Sequence, residues 1–368
     1  QLKKKWWENA PKLLQLGPEG KKRAKNEIYH FLLPDKGMVP SAGIKLLKTE
    51  FPDHAKRVTD WRKEAIKPIT GEEFLRLQKI CDSIDEHLEE YYTFQKRLNA
   101  QTKNKVDIWG GFQNEEQIGL NLRSYDEKEQ LNDQRNRQSA PYYKLKMVMD
   151  YWCSLWFWDV RKAEHLPTRQ QYINDIASIL NIDLTKQAKP EKVSSSYTQE
   201  ATPSLFEEPS VGEQAQQQII SKTQKGDLFD NKERLEEVKA LSEQHRFFHN
   251  QLDFIEVYKE RNGFDLILGN PPWVKIEFEE KDLISDKHPE ILIRKTTAPM
   301  VVKYRENFLE SEKNSYLSDY TAQESLKQFL TVVVNYPEMI GQKSNLYKNV
   351  LLNVLSQVNE CGYSGLLH

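Results

Sequence analysis

An apolar run that ends on two prolines constrains this chain more than any other feature. Phe264-Asp265-Leu266-Ile267-Leu268 reads as a strand, and Gly269-Asn270-Pro271-Pro272-Trp273 follows directly. Proline has no N–H to give a ladder, so two in succession end the strand. What remains is a rigid turn at a strand's C-terminal end, where open α/β sheets bind ligands. The turn offers an amide side chain (Asn270), a carbonyl (Pro271) with no proline N–H beside it, and a flat indole (Trp273). Pro-Pro-aromatic triplets also occur in linkers and in ligands of proline-binding domains. The preceding strand run and the Gly269-Asn270 junction argue against a linker here.

These groups suit the exocyclic amine of a planar base. The N6 amine of adenine is a poor nucleophile because its lone pair is delocalised into the ring. Methylating it requires acceptors aimed at its two N–H bonds, so that the nitrogen can pyramidalise. The Asn270 side-chain oxygen and the Pro271 carbonyl are candidates for that task, and Pro272 keeps the turn rigid. Trp273 is a candidate stacking platform for a base flipped out of its duplex. Phe264 and Asp265 are read as packing and edge residues of the strand. Lys275 is read either as a phosphate contact or as an ordinary surface lysine.

The run resembles motif IV of the amino-directed, S-adenosyl-L-methionine-dependent methyltransferases, in which Asp/Asn/Ser-Pro-Pro-aromatic follows a hydrophobic strand. Phe247-Phe248-His249, Phe254-Ile255-Glu256-Val257-Tyr258 and Trp273-Val274-Lys275-Ile276-Glu277 resemble the large adenine methylases of restriction and phage-defence systems. So do Glu27-Ile28-Tyr29-His30-Phe31-Leu32-Leu33-Pro34-Asp35 and Met147-Val148-Met149-Asp150-Tyr151-Trp152-Cys153 upstream, and Asn345-Leu346-Tyr347-Lys348 and Gly365-Leu366-Leu367-His368 downstream. The resemblance covers most of the chain and is closest to the DISARM-type, BREX-type and type IIG methylases. It implies an α/β fold with a large α-helical region: a partial Rossmann-like methyltransferase fold plus a helical insertion. It further implies S-adenosyl-L-methionine as cofactor, double-stranded DNA as substrate, other defence-system subunits as partners, and Asn270, Pro271, Pro272 and Trp273 as the catalytic turn.

Composition bounds the rest. Charged residues make up 29% of the chain against 38% hydrophobic, a polar balance that predicts much exposed helix and a disordered piece. Net charge is −2, so overall attraction to nucleic acid is not evident. Residues 1–70, however, hold sixteen Lys/Arg against eight Asp/Glu. A phosphate-facing surface and a solvated helix face account for that excess equally well. The three cysteines (Cys81, Cys153, Cys361) form no Cys-x-x-Cys pair, which fits a reducing cytoplasm. Cys153 lies in an aromatic run and is expected in the core. No metal-ligand spacing occurs among the eight histidines, and no apolar run is long enough to span a membrane.

Three segments are expected: a helical region over 1–183, a flexible linker over 184–225, and the motif-bearing part over 226–368. Thr70-Gly71-Glu72-Glu73 is a capping-box pattern. Phe74, Leu77, Cys81, Ile84, Leu88, Tyr91 and Leu98 after it recur at helical steps and predict one helix of about 30 residues. Pro141 to Trp158 is apolar nearly all round and predicts a buried helix rather than a set of stacking platforms. Pro167-Thr168 opens a helix ending near Leu180, and 233–245 is also helical. Residues 252–257 read as extended or as a short turn. Residues 275–320 have no clean period, helix resumes from Thr321 to Tyr336, and Asn345 caps a helix running to Val358. Gly362 and Gly365 bracket the entry to a last strand. Gly110-Gly111 and Gly119 mark turns between helices.

A cofactor turn of the form Gly-x-Gly is absent from the fifteen glycines. The chain opens on Gln1 and ends just as a strand begins, so it reads as a piece of a larger protein that holds the cofactor motif elsewhere. A degenerate motif or a dead scaffold would also account for the absence. The expected activity is N6-adenine DNA methylation. The alternatives are an inactive DNA- or partner-binding scaffold of a defence complex, or a methyltransferase acting on RNA or protein amines.

Overall fold

The computed structural model describes residues 13–14, 16, 23–24, 26–102, 125–137, 139–184, 228–275, 280–285, 288–293, 297–342 and 345–367. The linker expected over 184–225 (Leu184 apart) and the turns at Gly110-Gly111 and Gly119 lie outside these residues. Helices dominate, and two strands pair in parallel.

The long helix spans Gly71–Thr102. Its start is closed as the sequence predicts: Glu73 N–H donates to Thr70 Oγ1 at 3.2 Å, and Thr70 N–H donates to Glu73 Oε2 at 2.8 Å. Leu77, Cys81, Ile84, Leu88, Tyr91 and Leu98 are buried along one stripe, while Phe74 is partly buried. The stripe packs on the aromatic helix Pro141–Phe157 and on Arg169–Leu180. The aromatic helix is buried on nearly every side, with Tyr151, Leu155 and Trp156 fully enclosed. Cys153, expected in the core, is partly buried and packs against it. Arg169–Leu180 is capped by Thr168, whose hydroxyl accepts from Gln171 N–H.

The helix Leu228–His245 packs across the aromatic helix, and the core is continuous from one to the other. A buried pair pins it there. Arg234 Nε donates to Asp175 Oδ2 at 3.0 Å, and Tyr151 OH donates to the same oxygen at 2.8 Å. Both charged side chains are almost wholly enclosed.

Three expectations need correction. Of the two readings of residues 252–257, the extended one is overturned: Phe254 is a turn between two short helices, Asn250–Asp253 and Ile255–Arg261. Asp253 decides this, because its carboxylate accepts from His249 N–H at 3.1 Å and from Tyr142 OH at 2.7 Å. The helix expected from Thr321 instead runs Glu310–Thr331 and stops before Tyr336. Its start is marked by the Glu312 carboxylate accepting from Leu309 N–H at 2.9 Å. The last strand begins at Val358, so Gly362 and Gly365 lie inside it.

Among the described residues, part of the basic N-terminal excess is used within the chain. Arg23 bonds Asp82 and Asp85, and Arg62 donates to the carbonyls of Met38 (2.9 Å) and Val39 (2.7 Å). Lys63 and Lys67 pair with Asp60 and Glu64. Lys45, Lys48, Lys56 and Arg57 are exposed.

The strand β1 (Phe264–Gly269) pairs in parallel with β2 (Val358–Leu366). Phe264 faces Val358 and Leu266 faces Tyr363, so β2 bulges between these pairs. The bulge is held by Asn359, which donates to Asp265 Oδ1 at 2.7 Å and accepts from Cys361 N–H at 3.0 Å. Leu266, Leu268 and Tyr363 stand exposed, Leu268 at 71%. Parallel sheets ordinarily have both faces covered.

Candidate functional site

β1 delivers the Asn-Pro-Pro-Trp turn at its C-terminal end. Pairing continues to the last residue: Gly269 faces Leu366, and Leu367 N–H donates to Gly269 O at 3.0 Å. The backbone then leaves the sheet through Asn270, Pro271, Pro272, Trp273 and Val274 without regular structure. The prolines enforce this exit, since neither has an N–H for β2 to bond.

Each predicted residue is at this corner. Pro271 is buried and anchors the turn, whereas Asn270 and Pro272 are exposed and the Trp273 ring is 51% exposed. Among the described residues, no donor reaches the Asn270 side chain or the Pro271 carbonyl. Asn270 and a half-open indole therefore stand exposed at a strand end, beside the buried Pro271. Phe264 packs edge-on against Phe254 (5.1 Å between ring centres) and Tyr258 (5.8 Å), as expected of a strand residue. Asp265 accepts from Asn359 and from Arg261, and these bonds hold its carboxyl below the usual range. Both residues serve the sheet. Lys275 is exposed, and its backbone forms an isolated antiparallel bridge with Asn345.

Sequence reasoning gave Tyr347 no role. Its ring stacks on Trp273 with centres 5.0 Å apart and planes 27° from parallel. Tyr347 stands in the first turn of the helix Leu346–Gln357, which Asn345 caps by accepting from Tyr347 N–H at 3.3 Å. Leu346 N–H also donates to Val274 O at 2.9 Å. The sequence signals were the Asn345 cap and the resemblance carried by Asn345-Leu346-Tyr347-Lys348; nothing in the spacing placed Tyr347 against Trp273.

Gly263 and Gly362, beside and within the strand pair, do not build a methyl-donor cradle. Such a cradle needs a glycine whose open side admits a ligand. Instead, a Cβ on Gly263 would meet Gln357 O at 2.4 Å, and one on Gly362 would meet Phe264 O at 2.6 Å. Both close approaches are filled by this chain's own backbone. A cleft of about 1260 Å³ lies at the other end of the sheet, beside Asn262 and Val358, among His249, Trp152, Phe248 and Tyr336. It is at the N-terminal ends of the strands, away from the turn. Among the described residues, no group of three or more His, Cys, Asp or Glu could hold a metal, and no helix is long and apolar enough to cross a membrane.

Residues 151–320 match the model of a family described as Eco57I restriction-modification methylase. That span contains β1 and the whole turn. Comparison with curated proteins and with solved structures returned no match. The family match supports a methyltransferase of the restriction-modification type.

Proposed function

We propose that this chain carries the acceptor-base side of the active site of an N6-adenine DNA methyltransferase from a restriction or phage-defence system. One observation carries the reading: Asn270 and Trp273 are exposed at the C-terminal end of a parallel strand, and no described donor occupies the Asn270 side chain or the carbonyl of the buried Pro271. The extruded adenine is held at its amine. The Asn270 side-chain oxygen takes one N–H and the Pro271 carbonyl the other, which localises the nitrogen lone pair for attack. Trp273 stacks on the base and offsets part of its lost stacking. In this reading Lys275, two residues on and exposed, contacts a phosphate. No covalent nucleophile is needed.

S-adenosyl-L-methionine is the expected methyl source, and Gly263 and Gly362 do not supply its cradle. Further strands beside β1 and β2, in a Rossmann-like arrangement, would bring the cofactor's site next to the turn, and their crossover helices would cover Leu266, Leu268 and Tyr363. The double-stranded substrate, partner subunits of a defence complex and a cytoplasmic setting belong to the same reading.

The test uses the native full-length protein, labelled S-adenosyl-L-methionine and three acceptors: double-stranded DNA, RNA and protein. N6-methyladenine in DNA is the expected product. Asn270→Ala is expected to lower kcat by about 100-fold, the order found when one preorganised polar contact to a reacting group is lost. Undiminished methylation by that variant, or label only in RNA or protein, overturns the assignment.

A second reading follows from the filled glycine positions: a scaffold that binds DNA or a partner without catalysis. It predicts no S-adenosyl-L-methionine binding by the full-length protein at millimolar concentration, measured by calorimetry.

A further inference from the structure

Prolines fix the backbone of the turn but not the Trp273 ring. A half-exposed indole has several rotamers, and a stacking platform that wanders would align the base in only part of its population. Its plane must be set by packing.

The start of the helix Leu346–Gln357 is tied to the turn's exit at several points. Leu346 N–H donates to Val274 O, Lys275 bridges Asn345, and the Tyr347 ring lies flat against Trp273. That start is itself anchored. Asn345 caps it, and the buried Asn349 donates to Leu330 O at 2.8 Å, fastening its first turn to the end of Glu310–Thr331. The contact thus runs from a braced helix to the face of the indole.

Resting on the functional reading above, we propose that Tyr347 is a positioning residue: its ring sets the plane of Trp273, and through it the approach of the flipped base. The stack is between faces, so the aromatic ring carries the role and the hydroxyl is dispensable.

The experiment compares Tyr347→Phe, Tyr347→Leu and Tyr347→Met in the full-length protein, with DNA as substrate. Tyr347→Phe is expected to match the wild type within about twofold, since the stacking face is kept. Tyr347→Leu and Tyr347→Met are expected to lower kcat by about 10- to 100-fold, the scale of a misaligned reactant. KM for DNA and the thermal midpoint should stay close to wild type. Wild-type kcat in the Leu and Met variants overturns the proposal, as does a Phe variant as slow as the Leu variant. A loss of kcat matched by an equal loss of folded protein also overturns it, since the role would then be structural. If Tyr347→Leu does not fold, Tyr347→Met decides by the same criteria. Failure of the functional reading looks different: the wild type would then leave DNA unmethylated, or Asn270→Ala and Trp273→Ala would methylate it at full rate.

Discussion

Gly263 sits at φ +136°, between Asn262, which ends the preceding helix in the left-handed region (φ 58°), and the first residue of β1. An added Cβ there would lie 2.4 Å from Gln357 O and 3.0 Å from Asn359 N. Both the conformation and the crowding exclude a side chain, and together they aim β1 at its exit turn. Gly263→Ala should lower unfolding free energy by about 2 kcal/mol, the scale of a backbone forced into a region other residues avoid. Gly269→Ala, whose Cβ would meet only a Leu366 methyl at 3.5 Å, should cost far less. Urea titration of the two variants separates them, and equal midpoints would refute the role given to Gly263. The candidate turn was legible at this scale because its chemistry is local. Asn270, Pro271, Pro272 and Trp273 are consecutive, and proline alone dictates where the strand ends. Tyr347 was not legible, because only tertiary packing brings it to Trp273.

Elements with their own caps were read correctly, and elements decided by distant partners were not. Thr70 with Glu73, and Thr168 with Gln171, announce their helices within four residues, and both pairs form. Residues 252–257 are rich in apolar and β-branched groups as a strand would be, yet Tyr142, far off in the chain, holds Asp253 and favours two short helices. The helix Glu310–Thr331 begins in a run of charges that hides its period, and its first turn closes through Glu312 rather than an N-cap side chain. The cap at Asn345 has two consequences: it satisfies an orphan N–H, and it holds Tyr347 at the right height beside Trp273. Asn345→Ala should lower stability by about 1 kcal/mol, the usual value of an N-cap. It should also slow methylation more than a cap mutation elsewhere does. Thr168→Ala is the control, removing a cap of equal kind far from the turn. Equal activities for the two variants would detach the Asn345 cap from the site.

At the scale of the whole molecule, one buried carboxylate joins the helical part to the segment that leads into β1. Asp150, on the aromatic helix, is 4% exposed. It accepts from Lys146 at 2.6 Å, from Ser242 at 2.6 Å and from His249 Nε2 at 2.7 Å. Ser242 lies in the last turn of the helix Leu228–His245, and His249 immediately precedes the short helices before the motif strand. The approach to the site is therefore referenced to the aromatic core through this node. Burial pushes the Asp150 carboxyl upward, but the bonds from His249, Lys146 and Ser242 outweigh it and hold it below the usual range. A carboxylate depressed in the folded state stabilises fully above its unfolded value of about 4, and that stabilisation is lost as pH falls through the folded value. Asp150→Asn should therefore cost about 3 kcal/mol at neutral pH, the scale for breaking a buried charge pair. The penalty should shrink steadily below about pH 4, as the wild type loses the same contribution on protonation. Denaturant midpoints of both proteins, followed from neutral pH down to about pH 2.5, measure it. A constant gap across that range would mean that Asp150 acts through packing alone. The node would then fix the approach to the turn without any charge.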